Sequence, residues 1–229
     1  MFGLISLVLN GDFLQAIGYI FSSAVVIFLL LPVHEAAHAF TAHKLGDNTA
    51  KYMGRLTLNP MRHIDWLGAA MIMLVGFGWA KPVPVDSRNF RNPKSGMAVT
   101  ALAGPVSNLI MGFLALIILN ALELVPYRNL SGAAAVVFLL LCYLFQFIAS
   151  ISIGLAVFNL IPVPPLDGSR LLTALLPDRI YYKIMAYERY IMLLLMLLLV
   201  TGALSRPLNY LTAYLFNALD FLAGLPFGG

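Results

Sequence analysis

Long apolar runs are the feature that most restricts how this chain can fold. Residues 13–44, 96–122 and 132–160 are largely apolar over lengths that exceed the roughly 20 residues needed to cross the hydrocarbon core of a bilayer. Only 10% of the 229 residues are charged, against about 25% in a typical soluble domain. The chain is therefore predicted to be an all-α polytopic membrane protein, which excludes a soluble globule, a disordered chain and a nucleic-acid-binding domain.

Three further apolar runs set the predicted number of spans. Residues 190–204 are predicted to cross, whereas residues 208–225 either cross or lie in the interface. Residues 66–78 are only 13 in number, too few to cross comfortably, and are interpreted as a re-entrant or interfacial segment. We therefore expect about 5–6 transmembrane helices, forming a single domain over residues 1–229.

The basic residues are distributed unequally between the predicted loops. If residues 66–78 do not cross, twelve of the fourteen Lys and Arg residues lie on one face of the membrane, and only Arg128 and Arg206 lie on the other. Cytoplasmic loops carry the excess of basic residues in membrane proteins. The sequence therefore predicts a multi-pass protein of the cell membrane with its N-terminus outside.

Three ionisable residues occupy five positions of the first long run, His34-Glu35-Ala36-Ala37-His38. Residues four apart share one face of a helix, so the two histidines can bind one metal ion while Glu35 acts as a base on its bound water. An ionisable group inside a membrane helix costs about 2.5–3.5 kcal/mol on insertion scales, so three together indicate a shared purpose. The alternatives are a polar contact between helices and a proton relay.

A catalytic zinc ion usually has three protein ligands, so a third residue is needed. His63 lies in a basic loop, His43 lies off the ligand face, and Glu123 follows a span that leads away from the cytoplasmic side. Asp167 follows a span that returns to the cytoplasmic side, toward which the two histidines are displaced. The prolines around Asp167 predict an irregular backbone, which at membrane depth lies beside protein or a water-filled cavity. We favour Asp167 as the ligand; the alternative is an N-cap for the segment 169–176.

Two motifs together resemble the signatures of a known family. The first is His34-Glu35-Ala36-Ala37-His38, and the second is Asn159-Leu160-Ile161-Pro162-Val163-Pro164-Pro165-Leu166-Asp167-Gly168. The pair is similar to that of the site-2 proteases, which are intramembrane zinc metalloproteases, and the resemblance extends over residues 29–175. It implies His34, His38 and Asp167 as zinc ligands and Glu35 as the catalytic acid/base. It also implies that the Asn159 amide hydrogen-bonds the substrate carbonyl or its oxyanion.

The resemblance also covers two shorter stretches. Gly76-Phe77-Gly78 is similar to the short re-entrant, β-like loop with which this family presents a strand edge to its substrate, and Val83-Pro84-Val85 would continue that edge. Gly104-Pro105-Val106-Ser107-Asn108 resembles another recurrent motif, on which we assign substrate binding to Asn108. The alternatives are an ordinary turn at the first glycines, close helix packing at the second motif and a structural hydrogen bond for Asn159.

The predicted function is that of a zinc metalloprotease hydrolysing peptide bonds within or near transmembrane segments of membrane proteins. The loops leave no room for a PDZ or nucleotide-sensing domain, which is typical of a minimal branch of the family. The expected partners are transmembrane substrates and the lipid bilayer, with no nucleic acid and no prediction of oligomeric state. The alternative is a membrane protein that binds or transports a divalent metal, although transporters more often show internal repeats.

Overall fold

A computed structural model describes residues 4–76, 78–127 and 130–228 of the chain. Every regular element in these residues is helical, as expected for an all-α membrane protein. Eleven α-helices follow one another, α1 Leu4–Leu9, α2 Phe13–Val25, α3 Leu31–Lys44, α4 Thr49–Tyr52, α5 Trp66–Val75, α6 Pro93–Glu123, α7 Ala133–Asn159, α8 Asp167–Leu175, α9 Asp178–Met185, α10 Glu188–Val200 and α11 Ser205–Gly224.

Three helical stretches are long and apolar enough to cross a membrane, Gln15–Lys44, Pro93–Glu123 and Ala133–Asn159. The α10 and α11 helices qualify only as a pair, which is bent by 81° at the break between them. The described residues therefore supply three spans, or four with this broken pair. The expected 5–6 spans are not confirmed, because α5 has only ten residues and the last two apolar runs make at most one span.

The first span changes its winding just before the H-E-x-x-H sequence. Pro32 lies in the first turn of α3, where it lacks an N–H group and its ring would press on a carbonyl one turn earlier. The preceding residues Val26–Leu30 form a π-helical turn, in which the N–H of Leu31 donates to the carbonyl of Val26. A wider turn here accommodates the proline, and α3 continues as a regular helix to Lys44.

The long helix α6 lies at the centre of the bundle and packs against α3, α7, α8 and α11. Its buried residues Ala115, Leu116 and Leu119 form an apolar cluster with residues of α7 and α11. Small residues let these helices approach closely: a Cβ atom at Gly112 would lie 2.8 Å from the Ile153 side chain. This packing holds α6 beside the helix that carries the two histidines.

The chain folds back on itself after α5. A Cβ atom at Gly68 would lie 2.1 Å from the carbonyl oxygen of Trp79, and one at Gly78 would lie 2.0 Å from the carbonyl oxygen of Gly68. Glycine at both positions therefore permits a backbone-to-backbone contact between α5 and the segment that follows it. Gly76 ends α5 in the left-handed conformation with φ of 89°, and Phe77 of the predicted loop lies outside the described residues.

Candidate active site

Helices α3 and α8 bring His34, His38 and Asp167 together. The Nε2 atoms of the two histidines are 3.1 Å apart. The Oδ2 atom of Asp167 is 3.0 Å from Nε2 of His34 and 3.3 Å from Nε2 of His38. Both histidines are buried, and the three ligand-type atoms form a nearly equilateral triangle.

This triangle fits a zinc ion. A tetrahedral ion with bonds of about 2.0–2.1 Å holds its ligand atoms roughly 3.3 Å apart, close to the observed edges. The buried Oδ2 atom of Asp167 forms no hydrogen bond of acceptable geometry with the described residues, although two ring nitrogens are near. Two imidazoles and a carboxylate are one of the donor sets of catalytic zinc sites, which leave a fourth position for water or substrate.

The position of Asp167 depends on a glycine at the start of α8. A Cβ atom at Gly168 would lie 2.4 Å from the carbonyl oxygen of Leu160 and 2.5 Å from that of Ile161. Glycine therefore allows the first turn of α8 to lie against the end of α7. The hydroxyl and the N–H of Ser169 both donate to the carbonyl of Leu166, which closes this turn.

One face of α6 lies against both histidines. The carbonyl oxygen of Thr100 is 2.7 Å from Nδ1 of His38, and Nδ2 of Asn108 is 3.1 Å from Nδ1 of His34. Gly104 lies between them, where a Cβ atom would come within 2.4 Å of Nε2 of His38 and 2.6 Å of Nε2 of His34. The glycine thus leaves space that any side chain would take from the ligand atoms.

The carboxylate of Glu35 faces the segment that follows α5. Its Oε2 atom accepts a hydrogen bond of 2.9 Å from the N–H of Val83. The same segment is held by the buried guanidinium of Arg55, which donates to the carbonyls of Lys81 and Arg62 and, at 3.1 Å, to that of Pro82. Residues 80–86 are therefore placed beside the predicted catalytic acid/base.

Comparison with known proteins agrees with this geometry. The sequence model of peptidase family M50, the site-2 protease family, matches residues 22–201. The chain belongs to peptidase family M50. This M50 peptidase is 37% identical to the protein named zinc metalloprotease YwhC from Bacillus subtilis, over 77% of its own length and 79% of that relative.

More distant relatives carry a similar name. The M50 peptidase is 27% identical to the protein named zinc metalloprotease Rip2 from Mycolicibacterium smegmatis, over 90% of this chain and 78% of that one. The Rip2 protein of Mycobacterium tuberculosis is 30% identical over 70% of this chain and 60% of its own. No solved structure matches the chain. The chain is a membrane metalloprotease that uses zinc, as the paired motifs indicated.

The other predicted site residues of the M50 peptidase have varied surroundings. The amide of Asn159 donates to the carbonyl of Leu155, one turn earlier in α7. Asn108 is fully buried beside His34, Gly76 lies near the Tyr19 hydroxyl, and Gly78 packs on α5. The structure thus brings Asn108 to His34 of the cluster, while Asn159 bonds to its own helix.

The histidines that were set aside as ligands have other partners. His43 donates through Nδ1 to the side chain of Asn48 at 2.6 Å, and His63 donates through Nε2 to the carbonyl of Thr57 at 2.7 Å. Neither belongs to the cluster of His34, His38 and Asp167. Sequence reasoning missed Thr100, which contributes only its carbonyl group, and Arg55, which it counted among the basic loop residues.

A second buried charge holds the far end of the segment 80–86. Asp47 accepts hydrogen bonds from the N–H of Asp86 at 2.8 Å, from Nδ2 of Asn89 at 2.8 Å and from the N–H of Thr49 at 3.0 Å. Burial by itself raises the pKa of Asp47, but the hydrogen bonds from Thr49, Asn89 and Asp86 outweigh it, and the pKa lies below the ordinary 3.8. Asp47 is therefore an ionised anchor for this loop.

Proposed function

We propose that this M50 peptidase hydrolyses peptide bonds within or near the transmembrane segments of membrane proteins, with His34, His38 and Asp167 as its zinc ligands. The observation that carries the proposal is the buried triangle of two imidazole nitrogens and a carboxylate oxygen, with edges of 3.0–3.3 Å. Glu35, which follows His34 in the sequence, supplies the carboxylate that a hydrolase needs as an acid/base. Simple metal storage does not need such a group.

The protein's own groups divide the chemistry between them. Zinc in this site would polarise the scissile carbonyl and lower the pKa of a water molecule toward about 7. Glu35 takes the proton of the attacking water and returns it to the leaving amine, as a general base and then a general acid. The amide of Asn159 turns away from Leu155 to donate to the substrate carbonyl as negative charge develops there.

The substrate helix must unwind before cleavage, because its carbonyl groups are otherwise occupied by intrahelical hydrogen bonds. Residues 80–86 are suited to compensate for the lost bonds. A residue before proline favours extended backbone, which applies to Lys81 and Val83, and Pro82 and Pro84 have no N–H group. Within residues 82–85 the N–H groups that remain, those of Val83 and Val85, point to one edge in an extended strand, so only that edge offers donors to a partner strand.

The edge of the segment 80–86 that can pair is the one directed at Glu35, since the N–H of Val83 bonds to that carboxylate. A substrate strand on this edge would take the Val83 N–H and lie between the segment and Glu35. The carboxylate would then be released to act on water only when substrate is bound. Gly76-Phe77-Gly78 would lead the substrate to this edge.

We further propose that α5 enters the membrane and returns to the same face without crossing. Ten helical residues rise about 15 Å, half the roughly 30 Å hydrocarbon thickness. The contact of Gly68 with Gly78 and the hydrogen bond of 2.8 Å from the Lys81 N–H to the His63 carbonyl support this path. With four crossings in one membrane domain, the N-terminus is outside and the metal site is displaced toward the cytoplasm.

Cysteine accessibility tests the proposed topology. Single cysteines introduced at positions 91 and 183 are expected to react from the same side of the membrane, opposite to one at position 128, which itself lies outside the described residues. Shared reactivity of positions 91 and 128 would contradict both the proposed orientation and the re-entrant path of α5.

The decisive experiment for the proposed chemistry compares wild type with Glu35→Gln after reconstitution into vesicles with single-span membrane proteins. We expect one zinc per chain in both proteins, while Glu35→Gln lowers cleavage by roughly 10² or more, because an amide cannot carry the proton. Glu123→Gln is the matched control, since this glutamate ends α6 away from the cluster. Loss of zinc from Glu35→Gln would make Glu35 a ligand, and unchanged cleavage would favour the metal-transport alternative.

A further inference from the structure

The side chain of Asn108 has a contact that its predicted role in substrate binding does not explain. Its relative exposure is 0%, and its Nδ2 atom lies 3.1 Å from Nδ1 of His34. Its Oδ1 atom is buried and has no hydrogen-bond partner among the described residues. A buried amide oxygen without a partner is costly, so the arrangement calls for a donor.

The other histidine shows which ring nitrogen must carry the proton. A carbonyl oxygen can only accept, so His38 donates its Nδ1–H to the carbonyl of Thr100 and keeps the lone pair of Nε2. That Nε2 atom faces His34 and Asp167. A metal-ligating histidine commonly donates its second ring N–H in this way, which fixes both the tautomer and the orientation of the ring.

His34 needs the same tautomer if its Nε2 is also a ligand. The proton then resides on Nδ1, and an N–H group cannot bond to the NH₂ group of an amide. A half-turn of the Asn108 amide exchanges Nδ2 and Oδ1 within nearly the same volume and brings the unpartnered oxygen to His34. We propose that Asn108 is a positioning residue for the metal site: its Oδ1 accepts the Nδ1–H of His34 and so directs Nε2 at the zinc.

This inference rests on the zinc ligation proposed above and gives one helix face a common purpose. Thr100, Gly104 and Asn108 are spaced four residues apart on α6 and therefore lie on one face of the helix. Thr100 orients His38, Asn108 orients His34, and Gly104 leaves room for the two ligand atoms between them. This face of α6 therefore fixes the orientation of both imidazole rings.

Two substitutions in the full-length protein separate an acceptor from a donor at this position. Asn108→Leu has similar volume and no polar group, whereas Asn108→Asp presents only oxygen atoms. We expect Asn108→Leu to lower zinc affinity 10–100-fold, the range for losing such an orienting partner, and Asn108→Asp to keep it within a few-fold of wild type. The readout is the rate of zinc release to a chelator in detergent, which requires no substrate.

A matched control is available on the same helix. Asn120 lies three turns further along α6 and donates to Asp220 of α11 at 2.9 Å, remote from the histidines. Asn120→Leu removes a part-buried interhelical hydrogen bond, so it is expected to lower the unfolding temperature while zinc release stays as in wild type. A purely structural role for Asn108 would give the Asn120 result.

The outcomes distinguish this inference from the proposed function. If Asn108→Asp loses as much zinc as Asn108→Leu, the amide acts as a donor and the inference is wrong. Wild-type zinc release from Asn108→Leu together with a raised KM would assign Asn108 to the substrate instead. If His34→Ala retains its zinc, the proposed ligand set itself fails. Should the leucine variant not fold, Asn108→Asp alone decides, since it either keeps zinc or releases it.

Discussion

The cluster of His34, His38 and Asp167 and the segment 80–86 lie side by side but are held in place by different kinds of contact. The cluster sits among packed helices, where the absence of side chains at Gly104 and Gly168 creates the space for His34, His38 and Asp167. The segment is held by hydrogen bonds between its backbone and three side chains, Arg55 at one end, Glu35 in the middle and Asp47 at the other end.

This difference assigns a physical role to each region. Close packing of helices has few alternative arrangements, so it suits ligand atoms that must stay within tenths of an ångström. Hydrogen bonds to a chain without regular secondary structure can break and re-form one at a time, which suits a segment that must accept a substrate strand. Adding an atom should therefore weaken zinc binding at the cluster, and removing a hydrogen-bond donor or acceptor should weaken substrate use by the segment.

The largest effect is expected from Asp167, the proposed zinc ligand in α8. Asp167→Ala removes one of the three proposed ligand atoms, so we expect the loss of most bound zinc and of all measurable cleavage, as determined by metal analysis and a cleavage assay. Asp178→Ala is the control, because it removes a nearby carboxylate that pairs with Lys94 at 2.8 Å outside the cluster. Normal zinc content in the Asp167 variant would exclude it as a ligand and return attention to His43 and Glu123.

A single methyl group at Gly104 should have the next largest effect. Its Cβ would lie 2.4–2.6 Å from atoms of both imidazole rings, so the rings must move away from the positions they take beside Asp167. We expect Gly104→Ala to weaken zinc binding by roughly 10–100-fold, the range for disturbed ligand orientation. Gly112→Ala adds the same methyl group two turns later against Ile153 and should lower thermal stability without releasing zinc. Equal zinc affinity in both variants would contradict the steric account.

The sequence predicted that His34, His38 and Asp167 lie together, as they do, whereas it indicated the segment 80–86 only in outline. The histidines of α3 follow from helical periodicity, and Asp167 follows from the paired motif, because both signals are local. The environment of His34 depends on Asn108, which is 74 residues away, and no local pattern indicates which side of α6 faces α3. The assignment of Asn108 to substrate binding rested only on the resemblance of the Gly104-Pro105-Val106-Ser107-Asn108 motif and stays a prediction.

Arg55 shows a second limit of sequence reasoning. A basic residue in a loop of a membrane protein is expected on the cytoplasmic face whatever its contacts, so its presence carried no further information. Only the folded loop shows it buried with its guanidinium directed at three backbone carbonyls. The expected 5–6 spans are likewise not confirmed, because hydropathy alone does not show that α10 and α11 are bent by 81°.

Removing the donors of Arg55 should affect substrate use and leave the metal alone. Arg55→Met keeps the apolar stem but leaves three carbonyls without a charged donor, and each such bond contributes about 1.5–3 kcal/mol. If roughly 1.4 kcal/mol of this loss falls on the bound state, KM rises about tenfold. Zinc content should remain at the wild-type level. Arg88→Met is the control, since Arg88 is exposed and bonds only to the Asp86 carboxylate among the described contacts. A loss of zinc in Arg55→Met would show that the segment and the cluster depend on each other.

The smallest effect is expected at Asp47, where it should depend on pH. The folded-state pKa of Asp47 lies below its ordinary 3.8, so its stabilising contribution is present above that value and is lost as pH falls through the folded pKa. Asp47→Asn should therefore lower the free energy of unfolding by about 1–2 kcal/mol at pH 7, and the difference from wild type should shrink on titration from pH 5 toward pH 2. Hydrogen bonds from Arg88 lower the pKa of Asp86 to about 2, and this pair is present in both proteins, so its contribution cancels in the difference between their stabilities. A difference in stability that stays constant over this range would show that Asp47 anchors the segment through its shape and not through its charge.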